Sequence, residues 1–140
     1  MITNRDLKYF NVAKSVSQLS DFRRCHIGCV VVYRKNIIST GFNSTKTHTL
    51  QYVYNHLRFD VNEKAIHSVH AEIDALSKIR YLDIEWNKVN VYVYRGRKND
   101  GSPMLAKPCV SCRAYMKKLG VRNIYYSDYD SYGYMKLEGE

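Results

Sequence analysis

Two short segments, far apart in the chain, constrain its fold more than any other feature of the sequence. The first is His70-Ala71-Glu72, and the second is Pro108-Cys109-Val110-Ser111-Cys112. Together they supply one imidazole, two thiols and one carboxylate. Zinc binds nitrogen and sulfur ligands in tetrahedral geometry, and a catalytic zinc site uses three protein ligands and leaves one position open. A fold that brings these two segments together would form such a site.

The residue types suggest a role for each side chain. We expect His70, Cys109 and Cys112 to bind Zn²⁺, and Glu72 to stay off the metal and move protons. Taken alone, the cysteine pair could be redox-active or half of a structural zinc site, and a His-x-Glu triplet says little. Their combination, in this order and with a proline before the first cysteine, favours a catalytic zinc site.

Each segment is followed by a helical pattern. Cys109 and Cys112 are three residues apart and fall on one side of a helix turn, with Pro108 expected at the first helical position. The histidine and glutamate of the first segment are two residues apart and cannot share a mid-helix face. We therefore expect a helix over about 70–80 that begins at His70, so that both side chains reach around its open end.

At these residues the chain resembles the cytidine and deoxycytidylate deaminase superfamily of zinc-dependent nucleobase deaminases. The similarity extends from the first helix to the strand near residue 126. The resemblance implies a three-layer α/β/α sandwich with a mixed central sheet of about five strands, and a homo-oligomer. It also implies that Asn43 contacts the sugar, and that the backbone N–H of Ala71 and the carbonyl of Lys107 meet the base. Lys107 stands where the family often has a serine or an apolar residue.

The size and composition of the chain limit its class. Its 140 residues suffice for one compact domain, which we expect to span 1–140. The longest strongly apolar run, 29–33, is far shorter than the roughly 20 residues of a membrane span, and the first residues lack the apolar core of a signal peptide. We therefore expect a cytoplasmic protein with no membrane partner, whose four cysteines bind metal or stay free thiols.

Charge is distributed unevenly along the sequence. The net charge is +9, and residues 128–140 carry four acids against one lysine, so the body before them carries +12. A basic body attracts phosphate, whether on a single nucleotide or along a nucleic acid. It is also compatible with a basic surface that has no specific partner.

The remaining pattern predicts an α/β arrangement. The predicted elements are a helix over 4–19, a hairpin of strands 26–33 and 36–42, a short helix near 50–57, and strands over 89–94 and 121–126. A fifth strand near 132–137 should run antiparallel to the fourth, because the 14 residues after Tyr126 leave no room for a crossover helix. Within the superfamily, such endings resemble the free-nucleoside enzymes and several toxin-like branches, whereas endings with a helix and a parallel strand resemble the deoxycytidylate, tRNA and polynucleotide enzymes. This one feature favours the former group.

Three further features have two interpretations each. Cys25, His26 and Cys29 could form a second metal site, but the favoured interpretation is that Cys29 is a small buried strand residue and Cys25 a neighbour with no special role. The basic loop 95–101 leads to the zinc cysteines and should border the site. Five tyrosines within 125–134 could stack on bases, although strand packing or an oligomer contact is favoured.

The connection over 44–69 is long for a compact domain, which indicates a functional segment. Lys46, His48 and Arg58 within it could meet a substrate phosphate, although charged residues of this kind are most often simply solvated. His67 could compete as a zinc ligand, but the histidine and cysteines already named fill the template.

The favoured function is a zinc-dependent hydrolytic deaminase that converts a cytosine-bearing nucleotide or nucleoside, of the CMP, dCMP or cytidine type, to its uracil form and releases ammonia. One alternative is a deaminase of cytosine or adenine within single-stranded DNA or RNA, suggested by the basic body and the tyrosines. A second is a non-catalytic zinc-stabilised nucleic-acid-binding module, which would not need the carboxylate of Glu72.

Overall fold

The computed structural model describes residues 2–22, 25–55 and 68–137. Its elements, in chain order, are helix α1 (Asn4–Ser17), strands β1 (Cys25–Tyr33) and β2 (Asn36–Phe42), helices α2 (Thr49–Asn55) and α3 (Ala71–Ser77), a 3₁₀ turn (Trp86–Lys88), strands β3 (Asn90–Arg97) and β4 (Pro103–Met104), helix α4 (Val110–Leu119), and strands β5 (Asn123–Ser127) and β6 (Tyr132–Lys136). All the predicted elements are present, and β4 is an addition that two residues were too few to indicate.

The strands form one mixed sheet. Its order is β2-β1-β3-β5-β6, with the short β4 paired to β3. Strands β3 and β5 are parallel, and α4 lies in the crossover between them, as a parallel pair requires. The other pairs are antiparallel, including β5 with β6. The prediction that the last strand would run antiparallel to the one before it is therefore confirmed.

The hairpin of β1 and β2 is also confirmed. Its two turn residues, Arg34 and Lys35, have φ of 51° and 66°, the left-handed values that a tight two-residue hairpin turn demands. Neither is a glycine or an asparagine, so the turn is stabilised from outside. The hydroxyl of Tyr9 in α1 donates a hydrogen bond of 2.9 Å to the carbonyl of Lys35.

The sheet is covered on both faces. Alternating strand residues face α1 on one side, where the core consists of Tyr9, Phe10, Ala13, Val30, Val32, Tyr92 and Tyr94. The opposite strand residues face α3 and α4, where the core includes Cys29, Val31, Ile73, Leu76, Val91, Val93, Cys112 and Met116. This arrangement is the predicted three-layer α/β/α sandwich.

Two glycines set how closely the helices approach the sheet. A Cβ on Gly28 of β1 would lie 2.6 Å from the backbone nitrogen of Ser17, so α1 rests directly on that strand. A Cβ on Gly41 of β2 would lie 2.7 Å from the carbonyl oxygen of Ala71 and would also clash with the backbone of Ala75. The close packing of α3 on β2 therefore requires a residue without a side chain at position 41.

The helix boundaries differ from the predicted ones in three places. Helix α1 ends at Ser17 rather than residue 19, and α3 ends at Ser77 rather than near residue 80. Helix α4 begins at Val110, because Cys109 is its N-cap. The prediction that Pro108 takes the first helical position is wrong, since this proline lies outside the cap. Within the described residues, no helix is both long enough and apolar enough to cross a bilayer.

The tyrosines near the end of the chain mostly pack against other rings. Tyr125 stacks on Tyr92 at a centroid distance of 4.5 Å, and Tyr132 stacks on Phe10 at 4.1 Å. These contacts connect β5 and β6 to the α1 face of the sheet. Strand packing, one of the two favoured interpretations, is confirmed for Tyr125 and Tyr132, whereas Tyr129 and Tyr134 are 53% and 43% exposed.

Candidate active site

The two sequence segments meet at the beginnings of two helices. His70 is the N-cap of α3, with extended φ and ψ of −84° and 156°, and Cys109 is the N-cap of α4. An N-cap residue has not yet entered the helix, so its side chain can turn across the helix end instead of following the helical face. His70 therefore reaches the cysteines, and Glu72 lies in the first turn behind it.

The three proposed ligands form a compact cluster. The Nδ1 atom of His70 lies 3.4 Å from Sγ of Cys112 and 3.6 Å from Sγ of Cys109. All three donor atoms lie within 4.8 Å of one another. Tetrahedral zinc with bonds of about 2.0–2.1 Å to nitrogen and 2.3 Å to sulfur places those atoms about 3.6 Å apart. The donor set and its spacing fit a zinc ion.

The two cysteines differ in their protonation. The hydrogen bond from the Cys112 thiol, together with the nearby ring of His70, lowers the pKa of Cys109 to about 3. The N-terminal end of α4 adds the positive end of a helix dipole at the same place. Cys109 is thus a thiolate at neutral pH, which is the form that binds a metal.

Glu72 lies beside this cluster and is 5% exposed. Burial raises the pKa of its carboxyl above the ordinary glutamate value, and the nearby His70 offsets part of that effect. A carboxyl group whose pKa moves toward neutral pH can both accept and return a proton. The residue is therefore suited to acid–base chemistry at the metal.

The beginning of α3 is held by residues that the sequence did not single out. Gln51 in α2 is fully buried, and its side-chain oxygen accepts a 2.9 Å hydrogen bond from the backbone N–H of His70. The other end of its amide donates to Asn55 at 2.7 Å. The available signal was a pair of amide side chains four residues apart in a predicted helix, which places both on one face.

The apolar residues Leu50, Val53, Tyr54 and Leu57 form the stripe that predicts the short helix near 50–57, but the buried side chains of helix α2 are not those of this stripe. Gln51 and Asn55 are buried, whereas Val53, assigned to the apolar stripe, is 45% exposed. Tyr54 of that stripe does pack on Tyr115 of α4. The predicted Leu57 lies outside the described residues, as do Arg58 and His67.

The cluster opens into a cavity of about 270 Å³. Its described lining is divided between apolar side chains and a few polar ones: Phe22, Cys25, Ile27, Asn43, Ser68, Val69, His70, Glu72, Val93, Arg95, Leu105, Ala106, Lys107 and Cys109. An apolar pocket with convergent polar groups at one end is the usual form of a small-ligand site.

Comparison with known proteins agrees with this geometry. The family model of the cytidine and deoxycytidylate deaminase zinc-binding region matches residues 3–128. The chain belongs to the cytidine and deoxycytidylate deaminase family. A search of curated protein sequences gave no match.

Solved structures show the same fold. The dCMP deaminase of cyanophage S-TIM5 in its apo form is 23% identical, with a TM-score of 0.60 over 86% of this chain and 79% of that one. The same phage enzyme in complex with dCMP and dUMP is 22% identical, with a TM-score of 0.61 over 90% and 82%. A cytidine deaminase from Burkholderia pseudomallei is 14% identical, with a TM-score of 0.65 over 93% and 91%.

Two of the three residues expected to contact the substrate line the cavity of this family member. Asn43 and Lys107 are part of its wall, while Ala71 is fully buried between His70 and Glu72. The Asn43 amide also bonds to β1, since its Oδ1 accepts from the N–H of Ile27 at 2.8 Å and its Nδ2 donates to the carbonyl of Cys25 at 3.1 Å. It therefore joins the end of β2 to the beginning of β1.

The basic loop expected to border the site is divided between two cavities. Arg95 is still in β3 and lines the cavity beside the cluster. The residues from Gly96 to Gly101 line a second cavity of about 320 Å³ with Ser17, Gln18 and His26 of the α1 side. The expectation is therefore correct for Arg95 and wrong for the rest of the loop.

The possible second metal site is not present in the described part of the chain. Cys29 is buried in β1, as the favoured interpretation required, and Cys25 at the beginning of the same strand is also buried. Among the described residues, the group of donors close enough to hold a metal is His70 with Cys109 and Cys112.

Proposed function

We propose that this protein is a zinc-dependent hydrolytic deaminase that converts a cytosine-bearing nucleotide or nucleoside to the corresponding uracil compound and releases ammonia. One observation carries the proposal. The distances between the imidazole of His70 and the thiols of Cys109 and Cys112 fit a tetrahedral zinc ion, and the buried Glu72 lines the same cavity. A structural zinc site would not need that carboxyl.

In this proposal His70, Cys109 and Cys112 hold the zinc ion. A zinc ion bound there would supply one kind of chemistry, because it lowers the pKa of a bound water molecule toward neutral pH. Glu72 would accept one proton of the attacking water and deliver it to the ring nitrogen of the base. It would then take the remaining proton of the added hydroxyl group and pass it to the amine, which leaves as ammonia. Burial of Glu72 supports this role, since it brings the pKa of the carboxyl closer to that of the groups with which it exchanges protons.

The substrate contacts follow the family resemblance. The Asn43 amide would contact the sugar through the hydrogen-bonding positions that its two bonds to β1 leave unused. Lys107 would contact the base through its carbonyl. The N–H of Ala71, in the first turn of α3, would complete the contact to the base edge. The phage enzyme with dCMP and dUMP bound supports a cytosine-to-uracil reaction, because dUMP is the deaminated form of dCMP.

Replacing the proposed proton carrier tests this function. Glu72→Gln keeps the shape of the side chain but cannot accept a proton, so we expect zinc to be retained and turnover to fall by about 10²–10⁴-fold or more. Zinc is measured by elemental analysis, and turnover by mass change over cytidine, deoxycytidine and their phosphorylated forms. The matched control is Glu85→Gln on the surface, where Glu85 pairs with Arg34 and Lys88. Full activity of the Glu72→Gln protein would refute the assignment.

The nucleic-acid alternative has less support from the described residues. Two of the five tyrosines that suggested base stacking, Tyr125 and Tyr132, are used in packing on the α1 face. The basic body of the chain is equally compatible with a small phosphorylated substrate. The homo-oligomer implied by the resemblance and the cytoplasmic location both stay predictions.

A further inference from the structure

The positively charged side chain of Arg95 lines the cavity, but it has no role in the proposed reaction. It belongs to β3 and follows Val93 by two residues, so both side chains leave the strand toward the cavity. Its backbone is fixed on both sides, because Arg95 pairs with Ile27 of β1 and with Met104 of β4. A third contact comes from β5, where the hydroxyl of Ser127 accepts the N–H of Arg95 at 3.0 Å.

The guanidinium lacks the partners that a half-buried cation normally has. Its Nε atom is buried and has no hydrogen-bond acceptor. None of the described acidic residues forms an ion pair with it. A buried donor without an acceptor costs free energy, and in native proteins such groups are usually satisfied by a ligand or by water. Because Arg95 also lines the cavity and has no ion pair among the described residues, its guanidinium is available to an anion that is not part of the chain.

The charge of the cavity indicates which kind of anion. Among its described lining residues, Arg95 and Lys107 are cationic, and Glu72 is the carboxylate. The metal cluster and Glu72 define where the base must lie, so the two cations are left for the remainder of the substrate. A guanidinium offers paired N–H donors whose geometry matches a phosphate group.

We propose that Arg95 binds the terminal phosphate of a nucleoside monophosphate, so that the substrate is a cytosine nucleotide rather than the free nucleoside. This inference rests on the proposed function and narrows the substrate of that function to one class. A cavity of about 270 Å³ is at the small end of ligand pockets, which suits one nucleotide better than a polynucleotide strand.

The test compares paired substrates that differ only in the phosphate. Wild-type protein should have a higher kcat/KM for dCMP than for deoxycytidine. In Arg95→Gln the ratio of these two values should fall about 10- to 100-fold, mainly through KM for the nucleotide. Arg95→Lys keeps the charge but not the paired donors, so its ratio should lie between those of Arg95→Gln and the wild type. The matched control is Arg97→Gln, which removes an exposed arginine of the same strand that lines the other cavity.

A binding measurement separates this proposal from the proposed reaction. Calorimetric titration with dUMP and with deoxyuridine needs no turnover. Wild-type protein should bind dUMP more tightly than deoxyuridine, and Arg95→Gln should remove this margin in affinity. If no cytosine compound is deaminated but this margin is found, the reaction is wrong and the phosphate site stands. An equal kcat/KM for dCMP and deoxycytidine, an unchanged ratio in Arg95→Gln, or a preference for cytosine in single-stranded oligonucleotides would overturn the phosphate site. Thermal unfolding and zinc content of each variant show that it is folded.

Discussion

The helix starts that carry the site, those of α3 and α4, are held in different ways. Helix α4 is defined by residues next to it in sequence. Pro108 and Cys109 precede its first turn, and Gly120, with φ of 104°, ends it in the left-handed conformation that glycine adopts readily. Helix α3 is held by residues from other elements. Gln51 of α2 bonds to its N-cap, and Gly41 of β2 makes room for its backbone.

More contacts join α3 to the neighbouring strand. The N–H of Phe42 donates to the Asp74 carboxylate at 3.1 Å, and the Ser39 hydroxyl donates to the carbonyl of Ala75 at 2.7 Å. The ammonium of Lys78 adds a 2.9 Å hydrogen bond to the carbonyl of Thr40. The half of the site that supplies the cysteines is therefore set locally, and the half that supplies the histidine and the carboxylate depends on tertiary packing.

Gly41→Ala should have the largest effect among the substitutions that test the tertiary positioning of α3. The added methyl group meets the backbone of Ala71 and Ala75, which cannot rotate away as a side chain could. We expect the free energy of unfolding to fall by about 1–3 kcal/mol or more and the zinc content of the protein to fall with it, since α3 is pushed from the cysteines. Urea denaturation and elemental analysis measure the two quantities.

Gly96→Ala is the matched control for that substitution. The nearest atom to a Cβ at position 96 is the side-chain Cε1 of Tyr94 at 3.3 Å, and a side chain can shift. This variant should keep its zinc. If Gly41→Ala were as stable and as rich in zinc as Gly96→Ala, the close packing of α3 on β2 would not be what positions His70.

A smaller effect is expected from Gln51→Leu. Leucine has a similar size but cannot accept the N–H of His70, so one buried donor is left without a partner. We expect a loss of about 1–3 kcal/mol in stability, and a fall in zinc affinity of about 10–100-fold, which is the usual result of removing a group that orients a metal ligand. Competition with a zinc chelator measures the affinity.

Val53→Ala shortens an exposed side chain on the same helix and is the control for Gln51→Leu. Its zinc affinity should match that of the wild type. Equal affinities in all three proteins would show that α2 has no part in orienting His70.

The same difference between the two helices explains what the sequence could predict. The proposed ligands and Glu72 could be predicted because their spacing within each segment is tied to local helix geometry, and the strands could be predicted because of their alternation. The role of Gln51 was not predicted, because the spacing of Gln51 and Asn55 indicates a shared helix face but neither its burial nor the partner at His70. The buried side of α2 was not predicted for the same reason, since apolar periodicity cannot indicate a buried amide pair.

The sequence also could not show where a residue lies relative to the neighbouring strands. Arg95 and Gly101 belong to one basic run in the sequence, yet the pairing of β3 with β1 and β4 separates them into different cavities. The unusual role of Arg95 follows from that pairing. Composition alone indicated a basic chain, without showing which cation faces the site.

X-ray absorption at the zinc edge tests the central claim most directly, because it reports the ligands of the metal itself. Wild-type protein should bind one zinc ion with two sulfur atoms at about 2.3 Å and nitrogen or oxygen atoms at about 2.0–2.1 Å. Cys109→Ser should lose the metal or one of the two sulfur atoms, and Cys25→Ser should keep both. A wild-type protein that binds no zinc, or one whose zinc has four sulfur ligands, would contradict the account.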